Sequence, residues 1–236
     1  MNLLRTTGLI LCLAPGMATA EITSAADAAK TASFDILSAK VTRSGDTLTF
    51  RMTTSGAAGA EVPAKTGTLA GAGVFAYVWP TSLDPATVGF EGGTGILALA
   101  ATSHPDFDDT PLYDEDGDGD FANDGAQWHT HWVVLAPSTD CGPSNLAVRD
   151  IPEGQTPQLP ATWPGLPLFI DSPDANPVLE ASTISVSVAV TGAEGASYDG
   201  VTSALRVNAD LHAPLLCVAD VFDVASGDLS LPGKID

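Results

Sequence analysis

The 236-residue chain carries 29 Asp and Glu against nine Lys and Arg, a formal charge of -20. That balance excludes a nucleic-acid partner and disfavours anionic membrane surfaces, because both need clustered cations. A 44% hydrophobic content is ample for a buried core of single-domain size.

The first twenty residues read as a signal peptide. Arg5 supplies a charged start, Gly8-Leu9-Ile10-Leu11-Cys12-Leu13-Ala14 a short apolar run, and Ala18-Thr19-Ala20 a small-x-small cleavage site. The apolar run is too short to span a bilayer, so membrane insertion is not expected and the location is periplasmic or secreted. Residues 21–33 follow as an Ala-rich tail. From Phe34 onward short β-type runs alternate with turn residues, the texture of an all-β domain over 34–236. Runs 34–41 and 47–52 flank Arg43-Ser44-Gly45-Asp46, a hairpin signal. Further strands are expected at 73–79, 95–101, 127–135, 145–149, 166–171, 183–190, 201–207 and 215–224. Alternation is clearest in Thr183-Ile184-Ser185-Val186-Ser187-Val188-Ala189-Val190, which gives that strand a core side and a solvent side. The expected architecture is an antiparallel β-sandwich of about ten strands with two long irregular loops.

Those loops span 103–126, which is acidic, and 152–177, which contains seven prolines. Segments of such length commonly carry function. Proline removes a backbone donor, so the second loop reads as an extended cover with at most a short edge strand. In the first, Asp114-x-Asp116-x-Asp118-Gly119 matches the start of a calcium loop, with carboxylates at alternating positions and glycine at the turn. Asp120 extends the run. Gly125 stands where a bidentate Glu is wanted, and Asp124 offers a carboxylate one place earlier.

Only four histidines occur, and two lie in Trp128-His129-Thr130-His131-Trp132 directly after that loop. On a strand His129 and His131 share a face with Val133 and Leu135, and two imidazoles so spaced can meet on one metal ion. His212 completes a minimal ligand set, with His104 or an acid from Asp106, Asp108 and Asp109 as the fourth. Three imidazoles suit copper, zinc or iron. The opposing reading keeps the histidines as ordinary strand residues. After signal cleavage Cys141 and Cys217 remain, an even count in an oxidising compartment, and a disulfide between them is expected.

The sequence therefore describes an exported metal-binding protein, a carrier or a small metalloenzyme, with calcium ordering its acidic loop. The competing class is a non-catalytic module with structural calcium only. There the four tryptophans or the proline-rich cover would contact a small molecule, a saccharide or a protein. No Gly-x-Ser-x-Gly elbow supports a serine hydrolase.

Overall fold

The computed structural model describes residues 21–236 except Leu112 and His212, so the predicted signal peptide and the predicted ligand His212 lie outside the described residues. The strands are β1 (Ile22–Thr23), β2 (Ile36–Ser44), β3 (Thr47–Thr54), β4 (Gly73–Pro80), β5 (Ile96–Ser103), β6 (His129–Pro137) and β7 (Leu146–Val148). They continue with β8 (Ile170–Asp171), β9 (Val178–Glu180), β10 (Thr183–Ala189), β11 (Ser197–Tyr198), β12 (Val201–Val207), β13 (Leu216–Val224) and β14 (Gly233–Lys234). Helical structure among the described residues is limited to 3-10 turns at Pro85–Val88, Asp124–Ala126 and Thr139–Ser144.

The fold is all-β and the named pairings are antiparallel, as expected, but the architecture is not a plain ten-strand sandwich. β4, β5, β6, β7, β13 and β12 pair in that order, and β12 pairs back to β4, closing a six-stranded barrel. A second sheet, ordered β1-β2-β3-β10-β9, packs on one outer side of the barrel. Register shifts between β12 and β13, at Thr202/Ser203 and Ala204/Leu205, supply the bends that closure needs.

Two cores result. Inside the barrel, Val74, Ala76, Ala98, Ala100, Val133 and Leu205 form an apolar lining, with small residues where the narrow ring leaves least room. Outside, Tyr77, Trp79, Leu97, Leu99 and Trp132 meet Phe50, Met52, Ile184 and Val186 from the second sheet. Phe50 contacts Trp79 and Trp132 edge-on, each with ring centroids 5.9 Å apart. Burying each such side chain contributes roughly 1.5–3 kcal/mol. β4 and β5 are therefore covered on both faces, which explains why Val74-Phe75-Ala76-Tyr77-Val78-Trp79 and Leu97-Ala98-Leu99-Ala100-Ala101 read as continuous apolar runs.

The hairpin expected around Gly45 joins β2 to β3, with Gly45 at φ 62. β10 alternates as expected, Ile184, Val186 and Val188 being buried. Ile22–Thr23, within the predicted tail, pairs with β2. Cys141 and Cys217 form the disulfide, Cα atoms 5.2 Å apart, joining the Thr139–Ser144 turn to β13. Among the described residues no helix is long and apolar enough to cross a membrane.

Candidate metal centre

The histidine strand is laid out as its alternation predicts. β6 turns His129, His131, Val133 and Leu135 toward the barrel interior, while Trp132 and Val134 face the outer core. Thr102 lies opposite His129 and Ala100 opposite His131 on β5, so the pair sits near one end of the barrel. β5 runs directly into His104, and the acidic loop returns to the same place. His104 N–H donates to the Gly125 carbonyl at 2.6 Å, and the Ser103 hydroxyl donates to the Ala126 carbonyl at 2.8 Å. The closed neck of this loop delivers Asp109 beneath the three rings.

Four side chains converge. Asp109 Oδ1 lies 3.1 Å from His104 Nε2, 3.3 Å from His129 Nε2 and 3.2 Å from His131 Nε2. His104 Nε2 and His129 Nε2 are 2.8 Å apart. An ion bound tetrahedrally at about 2.0–2.1 Å sets its ligands about 3.3 Å from one another, so the cluster has close to the span of a coordination shell. The histidines are each 1% exposed and Asp109 is 6% exposed, so water does little to solvate them.

The outer nitrogens fix the ring tautomers. His104 Nδ1 is 2.8 Å from the Phe107 carbonyl and His129 Nδ1 is 2.9 Å from the Gln127 carbonyl. His131 Nδ1 is 3.2 Å from the Asp171 carbonyl and 3.1 Å from the Ser172 hydroxyl, which itself donates to the Asp109 carbonyl. A carbonyl oxygen only accepts, so each Nδ1 carries a proton, and in the neutral ring Nε2 is the nitrogen left with a lone pair. Phe107 also stacks on His104, centroids 4.1 Å apart, holding that ring in plane. Carbonyl-oriented imidazoles of this kind are how proteins prepare histidine for a metal.

The inner atoms are short of partners. Asp109 Oδ1 and His131 Nε2 are buried without a hydrogen bond. The Thr102 hydroxyl, 3.3 Å from His129 Nε2, also reaches the cluster. Burial opposes ionisation of Asp109, yet the imidazoles of His104 and His131 hold its carboxyl well below the usual range. Burial likewise opposes the charged form of His104, but Asp109 outweighs it and raises this histidine. Burial pushes His129 down to about 4, and repulsion from its two neighbours adds to that. One carboxylate with three inward lone pairs fits a divalent cation.

Of the expected ligands, His104, His129 and His131 come together, and Asp109 is the acid selected from three. Asp106 instead accepts the amides of Thr66 and Gly67, and Asp108 accepts from Thr110 and from the Asp124 amide. Gly125 carries no signal as a site residue, yet a Cβ there would lie 1.8 Å from the Phe107 carbonyl oxygen and 2.6 Å from that of His104. Gly125→Ala must displace the carbonyl that orients His104. We expect it to lower transition-metal affinity by about 10–100-fold, the usual cost of losing an orienting partner. Equilibrium dialysis of the purified variant checks this, and unchanged affinity would contradict it.

The acidic loop is organised around Asp124, which is 0% exposed. Its Oδ2 accepts the Glu115 amide at 2.8 Å, while its Oδ1 and Glu115 Oε2 are buried without partners. Carboxylates of Asp108, Glu115 and Asp124 come within 4.8 Å of one another, as do those of Asp114, Asp116 and Asp124. Burial pushes Glu115 up to about 7, and the neighbouring acids Asp124 and Asp108 add to that rise. Asp118 and Asp120, also expected as calcium ligands, stand outside both groups and accept turn amides, Asp118 from Asp120 N and Asp120 from Ala122 N. Neither Asp108 nor Glu115 was anticipated as a calcium ligand: Asp108 lies ahead of the run, and Glu115, inside it, is out of phase with the alternating Asp positions.

Comparison with known proteins returns no matching family model, no matching curated protein and no matching solved structure. Function is therefore argued from the site.

Proposed function

We propose that this protein is an exported metalloprotein whose barrel holds one transition-metal ion through His104, His129, His131 and Asp109, with a calcium ion at the Asp124-centred loop. The observation that carries the reading is the set of three inward Nε2 lone pairs facing one buried carboxylate oxygen, with every Nδ1 committed outward. Three imidazoles and a carboxylate suit zinc, copper(II) or iron rather than copper(I), which favours thiolates, and both mature-chain cysteines are in the disulfide. The disulfide and the signal-like first twenty residues support metal uptake in an oxidising compartment.

Near-complete burial of the ligands favours a resident ion over exchangeable cargo. The saccharide-platform alternative draws little support from the tryptophans. Trp79 and Trp132 are core residues, and half-buried Trp128 and Trp163 donate inward to the carbonyls of Gly59 and Leu168. Titrating metal-stripped protein with cobalt(II) tests the transition-metal site. One equivalent should bind and give the visible bands of a low-symmetry nitrogen-oxygen complex, and a spectrum matching hydrated cobalt would refute the reading.

For calcium, the ion at about 100 times its Kd should stabilise the fold by about 2.7 kcal/mol. In a chain of this size that raises Tm by roughly 5–10 °C. Asp124→Asn should abolish the rise. An equal rise in the variant would place any calcium effect elsewhere.

A further inference from the structure

The barrel is not filled. A cavity of about 120 Å³ lies in its interior, its sides formed by residues such as Val74, Val133, Leu205 and Val218. One end is formed by His104, Asp109 and His131. Ile96, Val221, Leu229 and Leu231 also line it. Strand register separates these groups: Thr102 pairs with His129 at the histidine end of β5 and β6, whereas Ile96 pairs with Leu135 at the other. Six residues of strand run about 20 Å, which at a barrel tilt of about 35–45° sets the two ends roughly 15 Å apart along the axis.

That far end is exposed and apolar. Ile96 is 42% exposed, Val221 39% and Leu229 39%, large side chains that gain nothing from water. Leu229 and Leu231 both hold left-handed backbone, at φ 56 and φ 51. This conformation is unfavourable for a leucine and recurs at ligand clamps. The base of their segment is tied down where the Ser226 hydroxyl donates to Asp199 Oδ2 at 2.5 Å.

We propose that this chamber binds a small uncharged apolar molecule of about the size of benzene, admitted past the Leu229–Leu231 rim and held against the histidine-aspartate centre. Size supports this, since a comparable apolar protein cavity of about 150 Å³ stays dry and takes up benzene or xenon. The lining sets the class: the walls are almost wholly apolar, so an ion of either sign would give up its hydration with no partner along them. Contact between the guest and a metal rests on the metal-site reading, whereas occupancy of the chamber does not.

Benzene titrated into the full mature protein, carrying labelled Val and Leu methyl groups and loaded with cobalt(II), tests both parts by NMR. Methyl signals of Val74, Val133 and Leu205 should shift saturably, those of Val186 and Val188 in the outer core should not, and cobalt should broaden the bound benzene. Val78→Phe, which fills the chamber from β4, should weaken benzene binding by about tenfold or more while cobalt uptake is retained. The wild-type titration decides the matter even if that variant fails to fold. No interior shift at saturating benzene, or shifts confined to the outer core, would overturn the proposal. Interior shifts without cobalt broadening would uphold the chamber and overturn its contact with the metal. Cobalt uptake without interior shifts would leave the metal centre standing and the chamber refuted.

Discussion

Changing His129 and His131 together to Ala should take bound transition metal from about one equivalent to background, because the site loses two of its four ligands. Loss of an outer orienting group alone costs roughly 10–100-fold in affinity, so removal of two direct ligands must cost well beyond that. Elemental analysis of wild type and variant, prepared side by side, reads the effect. If the histidines are only packed core residues, the double change lowers stability while metal content stays the same. His129→Ala alone separates the cases further, since His104, His131 and Asp109 would retain weakened binding.

The second large effect concerns the disulfide. Cys141 and Cys217 are 76 residues apart, and opening a loop of that length returns about 4.5 kcal/mol of entropy to the denatured chain in the loop-closure model. Cys141→Ala with Cys217→Ala should therefore lower Tm by on the order of 10 °C. The oxidised wild type should show the same drop on full reduction. Neither cysteine belongs to the ligand set, so metal stoichiometry at low temperature should survive. Identical melting of variant and wild type would show that the pairing contributes no stability.

Much of the site was legible because strand alternation is a local property. His129 and His131 share a face with Val133 and Leu135 whichever strands lie alongside, and the four apolar positions of 184–190 mark one face in the same way. The disulfide followed from an even cysteine count once the first twenty residues are read as a cleaved signal peptide. Barrel closure was not legible, since alternation assigns faces and leaves strand neighbours unspecified. The trace it leaves in the sequence is a continuous apolar run such as 96–101, which implies cover on both faces rather than a solvent side.

Selection of Asp109 over Asp106 and Asp108 depends on how the loop neck closes at His104 and Gly125. The groups that orient the imidazoles are main-chain carbonyls of Phe107, Gln127 and Asp171, which leave no side-chain signature. Asp124 stands out only once its burial is known, because the neighbouring Asp side chains make turn contacts that a solvated acid makes equally well. A calcium role is expected from the alternating Asp spacing, whereas the structure gathers around Asp124 two acids that are not part of that alternation, Asp108 and Glu115.

The most direct test of the proposed metal centre is elemental analysis of untagged protein purified from its native cells. About one equivalent of zinc, copper or iron per chain is expected, lost when His129 and His131 are both replaced by Ala. Calcium alone, or no metal in protein that is folded and disulfide-bonded, would contradict it.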